Sequence, residues 1–162
     1  MQRIFTAVDT FIGVAIDAIC IVLTAGLFFL ITLVVATRLG GFGSPAWSDE
    51  VVEFMLAWLI FLGATGLWRR GEHFRVDLVD QMMTDPLHKA QLAIVVELVS
   101  IVFLAILTYY GAFFAFLATD TSPTFSLPMF YWYASMPVSS GLMLAYSLAH
   151  LWRLLFLRPM PA

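Results

Sequence analysis

Three histidines, one cysteine and eleven acidic residues are the side chains of this 162-residue chain best suited to ligating a metal or moving a proton. Their spacing is wrong for most of that chemistry. Cys20 stands alone in an apolar stretch, so neither an internal disulfide nor a C-x-x-C metal clip is available. His73 and His88 fall in a polar segment, and His150 lies near the end of a long apolar one. A membrane bis-histidine haem needs two rings facing each other at one depth, and this set offers no such pair. No Ser/His/Asp set, glycine-rich phosphate loop or H-E-x-x-H motif is present. No catalysis, metal or cofactor is expected.

The acidic residues Asp17, Glu53 and Glu97 border long uncharged stretches, and ionisable groups at such places are functional candidates by default. All three stand at the ends of their stretches, where interfacial solvation accounts for Asp17 and Glu97. A proton-coupled exporter would need a carboxylate near mid-depth, and none is available. Helical winding places Glu50, Glu53, Ala57, Ile60 and Ala64 on one stripe of about 80°. A carboxylate above small residues suits packing against another helix that offers a donor. The alternative is that the glutamates snorkel into headgroups. Gly63 and Gly66 lie toward another side and would let a neighbouring helix approach. The most concentrated polar feature is Arg69–Asp77, RRGEHFRVD. Arg69 and Arg70 suit the C-terminal end of a helix dipole and a headgroup anchor, and Gly71 suits a left-handed stop. His73 and Asp77, four apart, can pair across one helical turn or accept partners from another chain.

The elements that carry these residues follow from the charges. The chain is 62% hydrophobic and 12% charged, with a mean hydropathy of +0.94. A soluble domain carries about 25% charged residues, so the apolar surplus here faces lipid. Uncharged gaps of 20, 15, 22 and 32 residues separate Asp17 from Arg38, Glu53 from Arg69, Glu97 from Asp120 and Asp120 from Arg153. A helix needs about 20 residues to cross a hydrocarbon core of about 30 Å. The second gap falls short, which puts Glu53 at or within one boundary of its span. The pattern predicts an all-α integral membrane protein, one domain over 1–162, with four transmembrane helices at about 15–37, 48–68, 90–118 and 131–157. The first is expected to be retained, since its apolar run is too long for a signal peptide and no small-residue cleavage site follows. Pro123 and Pro128 place a loop at Thr121–Met129. Phe130, Tyr131, Trp132 and Tyr133 then form an aromatic belt, and Pro137 falls in the first turns of the last helix.

Seven of the eight basic residues fall on one side of this arrangement, Arg38 being the exception. The positive-inside rule then places both ends and the second loop in the cytoplasm. Within that loop, Phe74, Val76, Leu78, Val79, Met82 and Met83 share one arc. This predicts a short interfacial helix over 72–84 on the inner leaflet. The few, scattered basic residues exclude nucleic acid as a partner and leave membrane lipid as the surrounding one.

Trp47–Met82, WSDEVVEFMLAWLIFLGATGLWRRGEHFRVDLVDQM, resembles the signature region of the small membrane subunit of tripartite ATP-independent periplasmic (TRAP) transporters, the DctQ-like family. That pattern has a Trp and an acidic pair at the outer end of helix two. A small-residue element, basic residues, a His and a Val/Ile-Asp follow. Trp47, Asp49, Glu50, Gly63, Ala64, Arg69, Arg70, His73, Val76 and Asp77 occupy those places. Asp49 stands where Glu is usual and Phe74 where an aliphatic residue is usual. The resemblance implies a non-catalytic scaffold in the inner membrane of a bacterium or archaeon. Its implied partners are a large multi-helix subunit, which carries the substrate and sodium sites, and a periplasmic binding protein, which delivers an organic acid. Two other classes stay open on the residues alone. A self-sufficient small transporter is disfavoured by the missing mid-membrane carboxylate, and an anchor for a redox enzyme by the histidine positions.

Overall fold

The computed structural model describes residues 2–71 and 86–156 and is helical over most of them. Helix α1 spans Gln2–Leu39, α2 Ser48–Arg70, α3 Pro86–Leu117, the single turn α4 Phe130–Tyr133, and α5 Ser135–Phe156. Among the described residues, Asp9–Leu39, Ser48–Arg70 and Gln91–Leu117 are long and apolar enough to cross a membrane. The expected interfacial helix over 72–84, with His73 and Asp77, lies outside the described residues.

Helix α5 has 22 residues but is diluted by serines at positions 135, 139, 140 and 147. Those four are buried, at most 1% exposed, while Val138, Leu148 and Trp152 on the same helix are exposed. The polar face therefore points into the protein and the apolar face outward, the reverse of a helix built for water. Elsewhere the surface is equally oily: Phe29 on α1 and Phe116 on α3 are 70% and 76% exposed. Lipid or another apolar chain is the medium that makes such a surface stable.

The helices form an open row. Helix α1 packs on α2, α2 on α5, and α5 on α3; among the described residues α1 forms its extensive seam with α2 alone, and α3 packs mainly on α5. Close approach in the α5–α3 seam depends on Gly111, which is buried. A Cβ there would stand 2.9 Å from Met136 Sδ and 3.4 Å from Pro137 Cδ. Leu104 and Ala115 fill the same seam at 2% and 1% exposure. Thr108 Oγ1 meets Ser140 Oγ across it at 3.0 Å. Between α2 and α5, the Thr65 hydroxyl donates to Ser139 O at 3.3 Å and the Trp68 indole to Ser147 Oγ at 2.9 Å.

Boundaries differ from the expected ones for identifiable reasons. Helix α1 continues back from position 15 to Gln2, because Asp9 near its start is held by a cation on α2. The expected single helix over 131–157 is divided at Ala134. Pro137 has no N–H to offer the Tyr133 carbonyl one turn back, so one helical bond is missing there, although Ala134 N donates to Phe130 O at 2.8 Å and Val138 N to Ala134 O at 3.1 Å on either side of it. Helix α2 ends as its sequence predicts: Gly71 adopts φ 71° and its amide donates to Trp68 O at 3.0 Å.

Candidate functional site: a charge layer and a braced loop

Two polar layers bracket the apolar part of the row. At the end where α2 finishes, the Arg69 guanidinium grips Asp9 of α1 through Nε–Oδ1 at 2.8 Å and Nη2–Oδ2 at 2.9 Å. This fork-on-fork geometry fixes direction as well as charge. Gly13 makes it possible, because a Cβ at that position would overlap the guanidinium. The Tyr146 hydroxyl of α5 is buried beside this pair, facing both Asp9 and Arg69. Arg70 Nη2 meets Asp17 Oδ1 at 2.6 Å, and across the row His150 Nδ1 of α5 meets Glu97 Oε2 of α3 at 3.0 Å.

Asp17 and Glu97, for which interfacial solvation was expected, are thus paired across two seams. From Asp17 to Leu39, and from Ser48 to Arg70, α1 and α2 each run about 33 Å at helical rise, and Glu97 to Leu117 is about 30 Å. The charge layer therefore stands one hydrocarbon thickness from the far ends of three helices. The sequence did hold a signal for part of this. Asp9, Gly13 and Asp17 are spaced i, i+4, i+8 on one face of α1, facing the Arg69–Arg70 pair. Sequence separations of 60 and 53 residues hid the pairing.

At the opposite end, the segment 118–129 forms a closed loop. Thr121 bridges to Pro128 in antiparallel fashion, Ser122 N donates to Leu127 O at 2.8 Å, and Met129 N to Asp120 O at 3.0 Å. Glu50 braces this loop. Its carboxylate accepts from the Ser122 hydroxyl and, at 2.6 Å, from the Thr124 amide. Its carbonyl accepts from the Trp132 indole at 3.3 Å, and the Trp58 indole donates to Tyr131 O at 3.1 Å. The aromatic belt thereby ties α4 to the first turns of α2.

The Glu50–Ala64 stripe is divided by this geometry. Glu50 is committed to its own chain. Glu53, one turn deeper, is exposed and opens onto a groove of about 270 Å³ between α2, α3 and α4. Ala57, Phe61, Gly111, Phe114 and Trp132 are among the groove's walls. Ala64 is half-buried further along α2. Trp47 and Asp49 are exposed at the start of α2, and space for a Cβ on Gly63 is open. A second groove, about 480 Å³, is lined wholly by apolar residues of α1, α2 and α5. Among the described residues no group of three His, Cys, Asp or Glu is placed to hold a metal.

A multi-pass helical membrane protein, organised by helix–helix seams and two polar end layers, is the class these features define. Residues 27–157 match the sequence model of the DctQ component of tripartite ATP-independent periplasmic transporters. The chain belongs to that family and is the small DctQ component of a TRAP-type transporter. No curated protein sequence matches it.

Proposed function

We propose that this chain is a non-catalytic scaffold that widens and steadies the large multi-helix subunit during sodium-coupled uptake of an organic acid. The acid is delivered by a periplasmic binding protein. The observation that carries this reading is the open row. A self-sufficient carrier encloses a polar path near mid-depth, whereas here the ion pairs among the described helices stand in one end layer, Glu53 lies near the other end beside an open groove, and both grooves open outward. All four long helices, α5 included, cross the inner membrane in this reading, with both ends and the 72–85 connection in the cytoplasm. The charge layer then marks the cytoplasmic boundary, and the Glu50-braced loop faces the periplasm beside the docking binding protein. Trp47 and Asp49 stand exposed at the periplasmic start of α2 and Gly63 lies on its membrane-spanning part, while RRGEHFRVD, with Arg69, Arg70, His73 and Asp77, forms a cytoplasmic-interface element.

Reconstitution tests it. Proteoliposomes carrying the large subunit, the binding protein and an inward sodium gradient should take up substrate only when this chain is present, and this chain alone should move none. Full-rate uptake by the large subunit without it, or uptake by this chain alone, would contradict the scaffold role.

A further inference from the structure

In the described helices, the carboxylates of Asp9, Asp17, Glu50 and Glu97 each have a donor from another element of the chain. Glu53 has none. It is not at the helix start, where Asp49 and Glu50 sit in the first turn, but about 7.5 Å further in at helical rise. Its surroundings are mostly apolar or aromatic, the exception being Ser135, whose hydroxyl donates to Trp132 O, and the backbone of Gly111 forms part of the opposite wall. A carboxylate at this position is stabilised by a cation held beside it; Arg69 and Arg70 play that part for Asp9 and Asp17, and no described residue plays it for Glu53. The groove also has the form a helix recognises: an open trough between two helices, small at Ala57 and Gly111 and flanked by Phe61 and Phe114.

Resting on the scaffold reading, we infer that the α2–α3 groove seats a transmembrane helix of the large subunit whose Arg or Lys side chain pairs with Glu53. That contact sits at the periplasmic end, directly beneath the braced loop. The cation enters from the side as the partner helix docks, and the Phe61 and Phe114 rings shield the pair from lipid.

Photo-cross-linking in the intact complex tests this. With p-benzoylphenylalanine in place of Phe114, which is 58% exposed, irradiation should join this chain to a large-subunit peptide that carries Arg or Lys within one helical turn. Glu53→Lys should lower recovery of the large subunit on a tag on this chain by about tenfold or more, and exchanging that basic residue for Glu should restore it. Glu53→Gln, which keeps shape and removes charge, should fall between. A cross-link to lipid, to the binding protein or to a peptide without a basic residue would overturn the inference, as would unchanged recovery with Glu53→Lys. If the large subunit copurifies while cross-links arise only from other faces, such as Phe29 on α1, the groove assignment alone fails. If the wild-type chain recovers no large subunit, the scaffold reading fails with it.

Discussion

Replacing Gly111 by valine is the most demanding perturbation of the row, because it acts on the α3–α5 seam. Alanine alone would place a Cβ 2.9 Å from Met136 Sδ and 3.3 Å from its Cγ. The thioether is a flexible chain end that can swing aside, and Ala gains about 1 kcal/mol over Gly in helix propensity, so Gly111→Ala should be close to neutral. Valine adds two methyl groups beyond that Cβ, and Pro137 Cδ, 3.4 Å away, belongs to a ring that cannot swing. Overpacking of this kind costs about 1–3 kcal/mol, and the rigid wall puts Gly111→Val near 3 kcal/mol. Adding Met136→Ala should recover about half of that loss by vacating the space on the sulfur side. Equilibrium unfolding in mixed detergent micelles, followed by helicity, compares these variants with the wild type. Wild-type stability of Gly111→Val, or a destabilised Gly111→Ala with no relief from Met136→Ala, would refute the seam as described.

Four further outcomes follow from the same geometry. Ser139 Oγ is buried without a partner, so Ser139→Ala should leave unfolding stability unchanged or slightly raised, while Trp68→Phe, which removes the bond to Ser147, should cost about 0.6 kcal/mol. Glu50→Ala should speed hydrogen exchange at the Thr124 amide, which donates to that carboxylate, without changing exchange in the α3–α5 seam. Gly13→Leu should displace Arg69 from Asp9 and splay the Asp9 end of α1, so Cys20, half-buried on the same face, should react faster with a small maleimide in detergent; an unchanged rate would count against the close approach.

Charge spacing made the long helices legible, because an uncharged run of 20 residues has few alternatives to crossing a bilayer. Gly71 and the Arg69–Arg70 pair marked the end of α2, since a left-handed glycine after basic residues has a local physical cause. Pairing over distance was not legible. Asp17 and Glu97 look solvated until α1 and α3 are set beside Arg70 and His150, and no local rule brings residues 53 apart together. The same limit applied to the stripe on α2. Periodicity put Glu50 and Glu53 on one face, but only the closed loop 118–129 shows that the first is occupied by its own chain and the second is free. The serines of α5 lowered its apparent apolarity, though they are the face buried against α2 and α3. Hydropathy averages over a helix, whereas packing depends on which side each residue faces.

The central claim is that this chain completes a larger membrane unit. Its most direct test is native mass measurement of the complex purified through a tag on this chain after coexpression with its partner genes. The account predicts a stoichiometric assembly of this 18.1 kDa chain with one large multi-helix subunit. Recovery of the chain alone, monodisperse and stable, would contradict it.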